Sequence, residues 1–435
     1  MRSAILASNG SITLDMRGEI LPPSRTKSSL RGVVSWPSRV SSEGADRPAP
    51  RAGSRSWGVR FAGGSLTRRT PDHRLRTTER TEPRSMRAGN HDTTGDPVVD
   101  HFVRWVAAPG ATTCTMPDLA DDAWERALVS VRAHRLQGLL DQRARQAPDR
   151  FDPVRRDAIR RERALAHAVT LRVDATMADA TGVLARHGIE PIVLKGAGHA
   201  SLLYDTPGLR PYVDLDLLIH PRDFPAAVDR LLAAGCVRRA GGASPAWERH
   251  HTKSVTLRHP SGCAIDVHRT IIGGPYGVRI DPDELFRQRR RCVVAGVDTH
   301  VLGLEHMALH VCISALLADA TPKLIALRDV VQMASRRDLD SASLAHTARR
   351  WMLTSVVRDA VRIAHLTLGV EIPRWVDTAL PAHRTSLRES VARWSYGGVS
   401  HRWRRQTVCA TLFVPGLRAK VVHLRRAVTA GSSAA

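Results

Sequence analysis

Apolar residues recur at helical spacing over residues 97–146, with Trp105, Leu119, Trp124, Leu128, Val131, Leu136, Leu139 and Leu140 as the expected buried positions. Asp118 or Asp121 stands where it could cap the helix that carries Trp124. A longer helix is expected over 153–187, with Gly188 in a C-terminal capping position. The period then shortens. A short apolar strand from Ile192 ends in Lys195-Gly196 and leads into a helix of small and apolar residues, followed by a turn near Pro207-Gly208, then Arg210, then a second strand through Ile219. Residues 223–234 read as a helix with Phe224, Val228, Leu231 and Leu232 on one face, ended by Gly235. Residues 255–259 and 264–268 read as paired strands across the turn Pro260-Ser261-Gly262. Beyond about Leu304 the pattern is helical again.

Residues 1–95 are rich in Ser, Arg, Gly, Pro and Thr and carry no sustained period. So few apolar groups do not offset the entropy of ordering a chain, so a disordered tail is expected there. Met86, just ahead of the first periodic segment, is an alternative start of translation. The remainder divides into a helical region (96–187), a mixed α/β core (188–300) and a helical C-terminal region (301–435).

Asp214 and Asp216 lie two apart on the second strand and therefore share a face, while Leu215 points the other way. Two same-side acids on an apolar strand need either solvent at a strand end or a cation between them. Asp266, within Cys263-Ala264-Ile265-Asp266-Val267-His268, is a third carboxylate on an apolar strand.

Strand, glycine-containing turn, helix, Asp-X-Asp strand and later Asp strand resemble the nucleotidyltransferase superfamily, the DNA polymerase β-like fold. More closely, Lys195-Gly196, Tyr204, Arg210, Asp214-Leu215-Asp216 and Asp266-Val267-His268 resemble the family known as uncharacterised nucleotidyltransferases, over residues 124–334. Where the superfamily commonly shows Gly-Gly or Gly-Ser, this chain has Gly196-Ala197-Gly198, and Arg269 stands where the family often has an aromatic residue.

The resemblance implies an α+β fold: a polymerase β-like core with a mixed sheet, flanked by helical regions. It implies a bacterial enzyme that uses two magnesium ions and a nucleoside triphosphate, ATP among them. The acceptor would be a metabolite, a peptide or a protein. Asp214 and Asp216 would share both metals, and Asp266 would hold the acceptor-side metal. Gly196 and Gly198 would let backbone amides approach phosphates at the start of the following helix. Lys195 would contact a triphosphate oxygen or pair with one of the acids. Arg210 would brace a phosphate or orient Asp214.

Charge adds a rival reading. The formal net charge is +23, from 65 basic and 42 acidic residues, which invites a nucleic-acid partner. Yet lysine occurs only at 27, 195, 253, 323 and 420, an arginine skew that suits a GC-rich coding sequence, and 17 basic against 8 acidic residues precede position 96. No alternation of aromatic and basic residues along a strand suggests base readout. The alternatives to an enzyme are thus a non-catalytic nucleotide-binding or regulatory module, and an RNA- or DNA-binding protein using the basic surface.

Cys114, Cys236, Cys263, Cys292, Cys312 and Cys409 are scattered without a Cys-X-X-Cys pair, as in a reduced cytoplasmic protein without a zinc site. No apolar run of membrane-spanning length and no secretory h-region is present. Other candidates are secondary. His306 and His310 are spaced four apart on a helix, a spacing that could bind metal, but no Glu follows His306 and no third ligand stands out, so one is expected to face the core and the other to be satisfied by a hydrogen bond. His250-His251 reads as a loop pair, Tyr204 as a packing residue, and Arg328-Asp329 as an internal ion pair. The basic stretch 401–428 forms a helical face for solvent, a membrane surface or an acidic partner.

Overall fold

The computed structural model describes residues 95–110, 115–239, 245–319, 321–382, 385–397 and 402–431; apart from Gly95, the tail over 1–95 lies outside them. The first helix, α1 (Pro97–Ala107), starts where the Asp96 carboxylate accepts from the Val98 and Val99 amides, with Pro97 at a position that needs no amide partner. Then come α2 (Asp121–Ala133) and α3 (Gln137–Gln146). Neither aspartate expected to cap α2 does so. Ala120 takes the N-cap position, and Asp121, already inside the helix, pairs with Arg155 at 2.9 Å. Phe102, Trp105, Trp124 and Phe151 pack as one aromatic cluster with ring centroids 5.6–6.5 Å apart.

The long helix α4 (Pro153–Ala185) is capped by Asp152 and spans about 50 Å at roughly 1.5 Å per residue. Gly188 follows at φ +70°, which glycine adopts without steric penalty. The mixed segment then runs β1 (Ile192–Val193), α5 (Lys195–Leu203), β2 (Asp214–Leu218), α6 (Phe224–Ala233), β3 (Val237–Arg238), α7 (Pro245–His250), β4 (Ser254–Arg258), β5 (Ala264–His268), α8 (Gly274–Gly277), α9 (Pro282–Arg287), β6 (Arg290–Val294) and β7 (Val297–Val301). The strands form one sheet of order β3-β4-β5-β2-β1-β7-β6. It is mixed: β2/β5 and β1/β7 are parallel, the other neighbours antiparallel.

Helices return as α10 (Leu304–Ile313), α11 (Leu324–Ala334), α12 (Ser341–Arg350), α13 (Thr354–Leu368), α14 (Trp375–Ala379), α15 (Leu387–Tyr396), α16 (Arg402–Phe413) and α17 (Leu417–Gly431). Buried residues from α1 through α16 join one hydrophobic core. Three contacts matter for the site. Helix α11 packs against α5 and α1, and α16 packs against α8, just beyond β5. Among the described residues no helix is long and apolar enough to cross a membrane. The chain is an α+β protein in which helices flank a seven-stranded mixed sheet.

Candidate active site

Strand β2 reads Asp-Leu-Asp-Leu-Leu, and its Leu215 and Leu217 are buried opposite the two acids. Its parallel pairing with β5 sets Asp216 beside Asp266. Residues in register on neighbouring strands point the same way, so Asp214, Asp216, Asp266 and His268 all project from one face of the sheet. Ligand atoms of Asp216, Asp266 and His268 lie within 4.8 Å of one another, a spacing suited to a cation. Asp214 sits nearer solvent, with the Arg135 guanidinium 3.7 Å from its Oδ1.

Lys195 completes the cluster. Leu194 donates its amide to the Asp216 carbonyl as β1 ends, and the chain turns into α5 within one residue. That residue, Lys195, has φ +41°, a left-handed conformation uncommon for a side chain with a Cβ. The turn brings its ammonium onto Asp216 Oδ1. The same oxygen accepts from His268 Nε2 at 2.8 Å. A carboxylate only accepts, so the His268 proton is on Nε2. On the neighbouring strand, the Thr256 hydroxyl donates to Asp266 Oδ1 at 2.6 Å.

The environment separates the carboxyls. Burial pushes Asp216 up, but the Lys195 charge and the His268 bond outweigh it and hold Asp216 well below the usual carboxylate range. Asp214 is raised by burial and by the charge of Asp216, which Arg135 and Lys195 only partly offset. Lys195 titrates above its ordinary value: desolvation lowers it, and the attraction of Asp216, Asp214 and Asp266 more than restores it. Burial keeps His268 neutral against the pull of Asp216. The set is therefore oxygen-rich, of the kind a hard divalent cation takes.

Beneath this face lies a second polar cluster. Asp329 on α11 accepts from Tyr204 at 2.7 Å, from His199 Nδ1 at 3.1 Å, and from Arg210 Nε and Nη2 at 3.1 and 2.7 Å. All four side chains are buried. Arg210 is thereby bonded to Asp329, and the charge of Asp214 also acts on it. The bond to Asp329 also corrects the expected Arg328–Asp329 pair. Successive helical residues point apart, and Arg328 Nη1 donates instead to the Ala107 carbonyl at 3.1 Å.

The two glycines are both buried, and each has a packing role. A Cβ at Gly196 would lie 2.5 Å from Tyr212 Cβ, and one at Gly198 would lie 2.7 Å from the Val193 carbonyl oxygen. Close approach of α5 to the sheet requires both. Tyr204 is buried and in addition donates to Asp329. His306 is 3.4 Å from Glu284 and stacks on Trp351, and His310 packs edge-on against His199. His250 ends helix α7 rather than lying in a loop, and the His251 ring meets those of Trp247 and His423. Burial pushes the Cys312 thiol up to about 12, consistent with an unreactive thiol.

His268, Thr256 and Arg135 belong to the site or its support without having been singled out for those roles, whereas Asp329, expected in an internal ion pair supporting the site, makes one with Arg210. His268 had a signal: it stands two residues after Asp266 and so shares its face. Thr256 and Arg135 are brought in by packing.

An acid-faced mixed sheet with a lysine at the first strand–helix turn is the arrangement that the resemblance to nucleotidyltransferases implies. The family model described as "Uncharacterised nucleotidyltransferase" matches residues 120–369, and the chain belongs to that family. Among solved structures, the chain is similar to the crystal structure of an antigenic nucleotidyltransferase-like protein from Paracoccidioides brasiliensis, at 16% identity and a TM-score of 0.25, over 44% of this chain and 92% of that one. No curated protein matches the chain.

Proposed function

We propose that this chain is a magnesium-dependent nucleotidyltransferase. It moves a nucleotidyl group from a nucleoside triphosphate to a hydroxyl of a small molecule, peptide or protein. One observation carries the reading: Asp216 and Asp266 lie in register on parallel strands, with Asp214 two residues earlier on the same face, in a chain of this family. Asp214, Asp216 and Asp266 would hold the magnesium, with His268 orienting Asp216 through its Nε2–H. When bound, magnesium neutralises phosphate charge and lowers the pKa of an oxygen it coordinates.

The residues of the chain supply the remaining steps. Asp266, steadied by Thr256, takes the proton of the attacking hydroxyl. The acceptor oxygen bonds to the α-phosphorus, and the bond to the departing pyrophosphate breaks. Lys195 and the first-turn amides of α5 at Gly196 and Gly198 meet the phosphates. Arg210, committed to Asp329, is a positioning residue for the lead-in to β2. The transfer core occupies 188–300 between helical regions at 96–187 and 301–435, and its use of a nucleotide fits a cytoplasmic setting.

A second reading also has a specific observation behind it. Lys195 and His268 satisfy Asp216 without a metal ion, as they would in a module that senses nucleotide without turnover. Incubation with each of the four α-labelled triphosphates and magnesium, with and without host extract, decides between them. Label moving to an acceptor supports the transferase. Saturable nucleotide binding with no transfer under any condition supports the sensor.

A further inference from the structure

The last helix presents an apolar stripe to solvent. Leu417, Val421 and Leu424 on α17 are 80%, 55% and 50% exposed, and their i, i+4, i+7 spacing places them on one side of the helix. In the sequence Val428 continues that spacing. Arg418 and Arg425 flank the stripe on one side and Lys420 on the other, while α17 docks on α7. Burying Leu417, Val421 and Leu424 would have been favourable in folding, yet the fold leaves them outside.

The charge of this region says what covers them. From residue 390 to the end the chain carries eight arginines and lysines and no aspartate or glutamate. A narrow apolar stripe bordered by cations, on a helix of low mean hydropathy, matches the interface between headgroups and acyl chains of an anionic bilayer. We propose that α17 is a peripheral membrane-docking helix, lying in the surface plane with Leu417, Val421 and Leu424 among the acyl chains and Arg418, Lys420 and Arg425 at anionic headgroups. The stripe asks for an apolar phase and its rim for anionic groups, and an anionic bilayer surface supplies both in one plane.

The full chain is sedimented with vesicles of phosphatidylcholine and with vesicles that also contain phosphatidylglycerol. Partitioning onto the anionic vesicles is expected to exceed that onto neutral ones by roughly tenfold or more, and to weaken as salt is raised. Leu417→Ser/Val421→Ser/Leu424→Ser should lose most of that binding while keeping the wild-type melting temperature, because these side chains are exposed, and Arg418→Gln/Lys420→Gln should weaken the binding several-fold in a chain that still melts cooperatively. Absence of binding to anionic vesicles overturns the proposal, as does binding equal on both vesicle types or unchanged in both variants. Dimerisation that depends on Leu417, Val421 and Leu424 without vesicle binding, or binding to a polyglutamate peptide without vesicle binding, overturns it in favour of a second copy or an acidic partner.

Discussion

Arg210 meets Asp329 through Nε and Nη2, at 2.7–3.1 Å, across 119 positions of sequence and away from solvent. The pair ties the segment entering β2 to α11, and Asp329 also holds His199 and Tyr204 of the α5 segment. The acid strand and the lysine-bearing turn thus share one buried anchor. Removing one member of a buried pair leaves the other charge uncompensated. Arg210→Met should therefore lower stability by about 3–5 kcal/mol, read as a shifted denaturant midpoint. A loss of less than about 1 kcal/mol, the range of an exposed pair, would show that the anchor is not structural.

The paired acids should respond differently to neutralisation. Asp214 is raised by burial and by Asp216, so Asp214→Asn should keep or slightly increase the melting temperature without metal. Asp216→Asn strips the counter-charge from Lys195 and should destabilise by about 3 kcal/mol. Both variants should lose the thermal stabilisation that magnesium plus nucleotide gives the wild type. Wild-type stabilisation in either would remove that residue from the metal site.

Asp266→Asn should separate binding from chemistry. Nucleotide affinity should stay within several-fold of wild type while transfer falls by two to three orders of magnitude, about 3–4 kcal/mol of transition-state stabilisation. Turnover, affinity and melting temperature measured on one preparation test this. Unchanged turnover in a folded variant would exclude the proton-accepting role.

Stability should fall as pH drops from 7 toward 5. Burial lowers His310 well below its ordinary value, with the neighbouring His199, Lys195, Lys253 and His268 adding to the effect. His199 is also lowered, chiefly by burial, although Asp329 pulls the other way. A depressed histidine binds fewer protons folded than unfolded, so its stabilising contribution is complete above the unfolded value of about 6.5 and declines below it. Each such group contributes a slope of at most about 1.4 kcal/mol per pH unit. His310→Leu should flatten the profile in urea melts across this range; an unaltered slope would show that His310 titrates normally.

The alternation of β2 is legible in sequence because side-chain direction in a strand follows from backbone geometry alone. So Asp214 and Asp216 share a face wherever the strand lies, and the same rule places His268 beside Asp266. The long helix and its stop at Gly188 are equally local, and with the Lys195–Asp216 block they suffice to mark the family. Which strand lies next to β2, and in what register, is not local. Strand order decided that Asp216 meets Asp266, and only packing decided that Lys195 rests on Asp216 while Arg210 crosses to Asp329. Packing also gave Gly196 and Gly198 their close contacts with Tyr212 and Val193. Periodicity records how a segment presents its side chains; it does not record which distant segment will face them, because that choice is made by burial summed over the whole core.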